Sequence, residues 1–427
     1  MILEINNSTI KGSISPPTSK SHSIRAIILG SIANGKTIIK NPLLSQDGLA
    51  PIRGCELLGA SFDLKDNKKT LVVSGTSGEL KTPNEVIDVK NSGTSLYILS
   101  AICSLLKESV VIKGDESINN RPINQLTDAL NNLGGFCYPT NSTTPPVTIR
   151  GPITGGVTKI SGITSQYTTS LLIATPMAEK DSTIKPINLQ EKPYVKMTLE
   201  YLDMTGIEYT HSNDFSNFKI RGKQTYKSFT KKIPCDFSSA AFIIGAGVIS
   251  GENITINGLD FSDSQADKSF VEILNKMSAD IKIVNSQLIV NKSELQGLEI
   301  DLSQSPDLLP ILSVVATQAE GTTIIKNIEH ARIKETDRIK TMCFELKKLG
   351  ANIRERNDGL VIKKSDLQGG KVFGHGDHRI AMALAIAGLT AKNTTFVNGI
   401  ESVGVTYPNF IKDFKSLNAS MSEISNN

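Results

Sequence analysis

Tryptophan is absent from this chain, aromatic residues of every kind make up 5%, and histidine occurs five times in 427 residues. No basic run is interleaved with aromatics, and a net charge of +4 is mild, so a nucleic-acid surface is not indicated. The five cysteines (Cys55, Cys103, Cys137, Cys235 and Cys343) are scattered without a CxxC pair. That pattern fits reduced thiols better than a disulfide frame or a zinc site. The histidine spacing suggests no ligand set either, so no metal is expected. No apolar run reaches the ~18–20 residues of a membrane span. The start, MILEINNSTIKG, lacks a positively charged segment leading into an apolar one. These absences lead to the expectation of a cytoplasmic protein with neither membrane nor nucleic acid as partner. The mild positive balance is compatible with a small anionic substrate.

What is present is a repeat. The stretch Gln318–Ile353 shows the unit most clearly: a β-rich run (Thr322, Thr323, Ile324, Ile325), then a helical stripe at Ile339, Met342, Cys343, Leu346 and Leu349, then Gly350. A glycine just past such a stripe stops the helix. The same helix stop recurs as LLGASF, NLGGFC, MTGIEY, KMSADI, KLGANI and SLNASM. Its stop position falls at Gly59, Gly134, Gly206, Ser278, Gly350 and Asn418. The strand before each helix recurs too, with turn positions at Thr37, Ser109, Ser182, Asn253, Thr322 and Asn393. Two independent series therefore agree on a period of roughly 71 residues and six copies. Each copy also holds a segment that is apolar nearly all round, such as SAAFIIGAGVIS or IAMALAIAGLTA, as a buried helix requires. The sequence thus predicts an α/β (α+β) fold of six βαβαββ units, arranged as two domains of three. The Asn-rich stretch Asn131–Asn141 reads as a loop, and the end at Ser425-Asn426-Asn427 as frayed.

The lead-ins to the buried segments carry the polar chemistry. They are Thr18-Ser19-Lys20-Ser21-His22-Ser23-Ile24-Arg25, Asn91-Ser92-Gly93-Thr94, Thr164-Ser165-Gln166, Cys235-Asp236-Phe237-Ser238-Ser239, Ser305-Pro306-Asp307 and Gly376-Asp377-His378-Arg379. Each holds a residue that caps helices. A helix N-terminus also favours anions, through its free N–H groups and its dipole. With Lys20, Arg25 and Arg379 at such positions, a polyanion site is the expectation, and Arg adds bidentate recognition of carboxylate or phosphate. Taken alone, Lys334-Glu335-Thr336-Asp337-Arg338 reads as a solvated helix start. Arg121 before Pro122 reads as a residue opening a helix. His378 reads as a brace, and His22, His211 and His375 receive no role.

In their order, these motifs resemble the 3-phosphoshikimate 1-carboxyvinyltransferase (EPSP synthase) family along essentially the whole chain. The resemblance is carried by Ser19-Lys20-Ser21…Arg25, Asn91-Ser92-Gly93-Thr94, Arg121-Pro122-Ile123, Ser165-Gln166-Tyr167 and Lys192-Pro193-Tyr194. It continues through Asp236-Phe237-Ser238-Ser239-Ala240, Pro306-Asp307, Lys334-Glu335-Thr336-Asp337-Arg338 and Asp377-His378-Arg379. It implies an inside-out α/β barrel in each of two domains, 20–234 and 1–19 plus 235–427, with the active site in the interdomain cleft. It also implies transfer of the enolpyruvyl group of phosphoenolpyruvate to the 5-hydroxyl of shikimate 3-phosphate, without a cofactor, by a monomer.

The same resemblance implies roles for individual residues. Asp307 stands at the position of the base, Glu335 at that of the proton donor, and Lys20 as a second proton-handling group. Lys20, Ser21, Arg25, Thr164, Ser165, Gln166, Tyr194, Asp307 and Lys334 match positions that hold shikimate 3-phosphate. Lys20, Gly93, Arg121, Gln166, Arg338 and Arg379 match those that hold phosphoenolpyruvate. Gly93 has a physical reason as well, because a loop without a side chain lets a ligand approach.

The chain departs from the family pattern at five places. Val405 replaces a lysine, with Lys412 seven residues on; Tyr97 replaces an arginine; Thr164 replaces serine; His330 replaces asparagine. Glu191 stands where a serine contacts the shikimate phosphate, and an acid there is expected to be turned away or paired. A lost charge-assisted contact is worth about 1.5–3 kcal/mol, which predicts a weaker phosphoenolpyruvate site. Two other readings are a carboxyvinyltransferase of the UDP-N-acetylglucosamine type and a weakened ligand-binding relative. No cysteine in a Pro-Gly-Gly-Cys type loop supports the first.

Overall fold

The computed structural model describes residues 1–285 and 287–424. The chain forms two compact units, Thr18–Ile233 and Met1–Pro17 with Pro234–Asn427. Each unit has its own apolar core and three four-stranded sheets.

All six sheets share one plan: a parallel pair, then two antiparallel neighbours. In the sheet built from the stretch singled out above, Glu299–Asp301 pairs in parallel with Thr322–Lys326. Gly359–Lys363 and then Asn352–Arg356 follow antiparallel. The parallel pair needs a crossover, and a buried helix supplies it. Three sheets are completed by strands from distant sequence. Thr230–Lys232 opens the sheet of Lys36–Lys40, and Ile2–Ile5 lies between Thr395–Asn398 and Met421–Ile424. The second strand, Ile10–Ile14, pairs instead with Gly251–Ile256. The amino-terminal segment is therefore held by two sheets of the unit that contains the carboxy-terminal half.

The apolar segments are the inner helices. In the first unit they are Lys20–Ile32, Gly93–Cys103 and Ser165–Ala174. In the other they are Phe237–Ser250, Leu309–Ala316 and His378–Gly388, which pack pairwise on one another. Every residue of Phe237–Ser250 is buried, as all-round apolarity requires. Its Gly245 sits against Ile311, whose Cγ1 would lie 2.5 Å from an added Cβ, so this crossing admits no side chain. The outer helices bury one face only. Arg338–Lys348 buries Ile339, Met342, Cys343 and Leu346, the stripe read from the sequence.

The helix stop has one backbone reason in all six copies. Gly59, Gly134, Gly206, Ser278, Gly350 and Asn418 all have positive φ, from 66° at Asn418 to 107° at Gly59. Glycine adopts this left-handed conformation without a steric penalty and asparagine tolerates it, whereas Ser278 carries the strain.

Two local expectations fail. Asn131–Asn141 is not a loop: Asn124–Asn132 is helical and Phe136–Asn141 is a strand paired with Thr144–Arg150. The polar side chains lie on an outer element, where composition mimics a loop; Asn131 bonds both backbone groups of Cys137 and ties helix to strand. Pro122 does not open a helix, since the next one starts at Asn124 after Ile123. The end expected to fray lies, from residue 425, outside the described residues.

Candidate active site

In the unit containing the carboxy-terminal half, the site is built on helix N-termini. Asp337 caps Arg338–Lys348 by accepting from Lys340 N at 3.0 Å. Asp377 caps His378–Gly388, with Oδ1 2.9 Å from Arg379 N. Asp307 lies in the short 3-10 turn Pro306–Leu308 that leads into Leu309–Ala316. These caps bring one guanidinium among three carboxylates. Arg338, 1% exposed, donates from Nε to Asp377 Oδ2 (2.7 Å), from Nη1 to Asp307 Oδ1 (2.7 Å) and from Nη2 to Glu335 Oε2 (2.6 Å). A second Nη2 contact reaches Asp377 Oδ1 at 3.3 Å. Arg379 Nη2 lies 2.8 Å from Asp307 Oδ2, so Asp307 joins the two arginines.

Burial alone would lower the Arg338 pKa, but Asp377, Glu335 and Asp307 outweigh it and hold the group well above its ordinary value. At Arg379 burial acts the same way, and Asp307 again overcomes it. A further acid stands behind them. Asp267 is buried, accepts a hydrogen bond from Ser238, and has its Oδ1 without a hydrogen-bond partner among the described residues. Burial and the Asp307 charge push it up to about 7, against the pull of Arg379 and the Ser238 bond.

In the unit Thr18–Ile233 the emphasis is cationic. Ser19 caps Lys20–Ile32. Arg25, one turn in, is buried and bonded only to neutral groups: Thr198 Oγ1 (3.0 Å), Ser21 O (3.1 Å), Tyr194 O (3.2 Å) and Thr169 Oγ1 (3.5 Å). Among the described residues no carboxylate pairs with it, and burial pushes it down to about 10. Lys20 Nζ lies 3.0 Å from Asp47 Oδ2. Gly93 begins the helix capped by Ser92, and a Cβ there would lie 2.3 Å from Arg121 Nη1. The missing side chain therefore makes room for Arg121 itself, a closer reason than the approach of a ligand. Tyr97 and Tyr167 meet edge to face, and both donate to the carbonyl of Pro122, at 3.1 and 2.7 Å. Tyr97 thus braces the Arg121–Pro122 turn.

Thr164 caps Ser165–Ala174. Over this N-terminus lies Glu191, paired as the sequence reading allowed, but with the hydroxyls expected to hold substrate. Its Oε2 accepts from Ser165 Oγ (2.8 Å), Ser165 N (3.0 Å) and Thr164 Oγ1 (3.3 Å). Beside them the buried Gln166 Oε1 has no hydrogen-bond partner among the described residues.

The structure groups Asp307, Glu335, Arg338 and Arg379 in direct contact, with Thr336 Oγ1 3.3 Å from Asp377. Lys334, partly buried, precedes them. Ser21, Arg25 and Tyr194 form a second group, Gly93 and Arg121 a third, and Thr164, Ser165 and Gln166 a fourth. His378 and His330 are buried. Val405 is a buried residue of the 3-10 segment Ile400–Val405, and Lys412 is exposed on Phe410–Ser416. Sequence reasoning missed Asp47, Asp267 and the pairing of Asp377 with Arg338. Asp377 stood in a quoted motif, read as a cap. Asp47 and Asp267 gave no local signal, because their partners are remote in sequence.

A model of the family "EPSP synthase (3-phosphoshikimate 1-carboxyvinyltransferase)" matches residues 5–414. A 3-phosphoshikimate 1-carboxyvinyltransferase of Ruminiclostridium cellulolyticum is 44% identical over 97% of this chain and 98% of its own. One of Acetivibrio thermocellus is 42% identical over 99% of each chain. The solved structure of the EPSP synthase of Acinetobacter baumannii superposes with a TM-score of 0.83 at 26% identity, over 99% of this chain and 100% of that one. The chain belongs to the EPSP synthase (3-phosphoshikimate 1-carboxyvinyltransferase) family.

Proposed function

We propose how this chain's residues divide the work of its family's reaction, in which the enolpyruvyl group of phosphoenolpyruvate passes to the 5-hydroxyl of shikimate 3-phosphate and phosphate leaves. The chain is a transferase of the shikimate pathway by its family. The reaction requires a base for the hydroxyl, an acid for the methylene carbon, and cations for two phosphates and two carboxylates.

The observation that carries the reading is the Asp307–Arg338–Glu335 contact. A single guanidinium holds both carboxylates in fixed orientation, through Nη1 and Nη2. In this reading Asp307 takes the proton of the attacking 5-hydroxyl and Glu335 delivers one to the methylene carbon. Attack gives a tetrahedral adduct. Its collapse returns the methyl proton to Glu335, restores the double bond and expels phosphate, which departs with the proton that Asp307 took from the hydroxyl. Arg338 and Arg379 serve phosphoenolpyruvate with Lys20, Gly93, Arg121 and Gln166. A guanidinium has five N–H groups; among the described residues Arg338 makes four bonds, which leaves one N–H on Nη1 for the substrate. Ser21, Arg25, Thr164, Ser165, Gln166, Tyr194 and Lys334 serve shikimate 3-phosphate, together with Lys20 and Asp307. Arg25 supports this best: among the described residues it has no anionic partner, a buried cation so placed is costly, and a bound phosphate or carboxylate offsets that cost.

No helix among the described residues is long and apolar enough to cross a membrane. We further propose that the protein works in the cytoplasm as a monomer. The test of the reaction is phosphate release from the purified full chain with both substrates, with each omitted in turn, and with UDP-N-acetylglucosamine replacing shikimate 3-phosphate. Release is expected only with phosphoenolpyruvate and shikimate 3-phosphate together. Release with the nucleotide sugar instead would overturn the assignment of acceptor.

A further inference from the structure

Glu191 has no part in the reaction just described, yet it is 2% exposed and its carboxylate holds the N-terminus of the Ser165–Ala174 helix. One oxygen, Oε2, gathers a backbone N–H and two hydroxyls. Such a set of donors, at the positive end of a helix dipole, is what a phosphate oxygen requires. The backbone is shaped to deliver this side chain. Glu191 has φ 53° and ψ 38°, a left-handed conformation uncommon for a residue with a side chain, and it immediately precedes the Lys192–Thr205 helix. Its carbonyl accepts from Tyr194 N, and the carbonyl of Tyr194 accepts from Arg25. Glu191 is thus joined to Arg25 through backbone carbonyls, while its carboxylate is seated on Ser165.

We propose that Glu191 is an internal anion occupying the phosphate seat of Thr164 and Ser165, so that the phosphate of shikimate 3-phosphate binds by displacing it. This rests on the assignment of Thr164 and Ser165 to that substrate. Two anions cannot share one oxygen seat, because their repulsion in a buried site is large. The apparent affinity is therefore the intrinsic affinity multiplied by the fraction of molecules in which Glu191 has left. Glu191 also satisfies the seat when no substrate is present: three donors that would otherwise be left unbonded are held by the chain itself. The residue thereby sets affinity for the phosphate group in particular, and leaves recognition of the ring hydroxyls to the other contacts.

The experiment is isothermal titration of the full-length protein and of Glu191→Ser, Glu191→Gln and Ser165→Ala with shikimate 3-phosphate and with unphosphorylated shikimate. Removing the resident carboxylate is expected to tighten shikimate 3-phosphate about tenfold, corresponding to a seat vacant in roughly one molecule in ten. Glu191→Gln, which keeps size but not charge, is expected to fall between the two. Shikimate should bind all Glu191 forms alike. Ser165→Ala should weaken shikimate 3-phosphate. The melting temperature of free Glu191→Ser should fall, while its rise on adding shikimate 3-phosphate grows. Unchanged or weaker shikimate 3-phosphate binding by both Glu191 variants, alongside a weakened Ser165→Ala, overturns the displacement and leaves the site assignment standing. An unaffected Ser165→Ala removes the phosphate from this seat and overturns both.

Discussion

Asp377 holds Arg338 with both carboxylate oxygens, Nε at 2.7 Å from Oδ2 and Nη2 at 3.3 Å from Oδ1, and neither residue is more than 1% exposed. Asp377 Oδ1 also caps the helix that begins at His378. One carboxylate therefore fixes a helix N-terminus and the guanidinium that orients Asp307 and Glu335. Removing one partner of a buried ion pair costs more than the pair is worth, because a desolvated charge is left behind. Asp377→Asn is expected to lower stability by about 3 kcal/mol, read from urea unfolding, and to reduce kcat at least tenfold. Unchanged stability would mean that Asp307 and Glu335 suffice to hold Arg338.

Asp267 makes the stability depend on pH. Its folded pKa is raised to about 7 from 3.8 by burial and by Asp307, so the folded protein binds the proton that the unfolded chain has lost. Its contribution is complete below pH 3.8 and is lost as pH rises through about 7. Asp267→Asn removes that loss. Relative to the parent, the variant should gain stability as pH rises from about 4 to about 7, most at the upper end. Denaturant midpoints at several pH values check this; parallel curves for the two proteins would contradict it.

Gly93→Ala places a methyl group where Arg121 Nη1 now lies. The buried guanidinium must shift, since Tyr97 and Tyr167 hold the adjacent Pro122 carbonyl in place. The KM for phosphoenolpyruvate should rise roughly tenfold or more, the loss of one charge-assisted bond, with little change for shikimate 3-phosphate. Steady-state kinetics with each substrate varied separates the two. Equal rises in both KM values would place Arg121 outside phosphoenolpyruvate recognition.

Arg25 costs the free protein stability. Its pKa is lowered to about 10 from 12.5 by burial, a penalty of about 3 kcal/mol that persists at every pH below 10. Arg25→Met is expected to raise the melting temperature of the free protein and to weaken shikimate 3-phosphate by roughly tenfold to a hundredfold. A variant both less stable and unaltered in binding would make Arg25 a structural residue.

The repeat was legible because it is written in two properties that survive divergence: apolarity of the inner helices and backbone chirality at the helix stop. Ser278 and Asn418 replace glycine at that stop and still adopt positive φ, so the spacing held where the residue did not. Asn131–Asn141 was misread because Asn favours both loops and the exposed faces of outer elements. The candidate site residues were named through motifs, but their partnerships were not. Arg338 reaches Asp307 across 31 positions and Asp377 across 39, distances over which spacing carries no information. The clearest case is Glu191. The sequence led only to the expectation of an acid turned away or paired, and the structure shows its oxygen seated on Ser165.

The central claim is that Asp307 and Glu335, oriented by Arg338, handle the protons. The most direct measurement is phosphate release by Asp307→Asn under saturating phosphoenolpyruvate and shikimate 3-phosphate, with binding of shikimate 3-phosphate measured on the same protein. The expected result is a kcat reduced about 10²–10⁴-fold, the range for loss of a general base, with shikimate 3-phosphate affinity changed by less than tenfold. A kcat within threefold of the parent would contradict the account, because no proton transfer could then depend on Asp307.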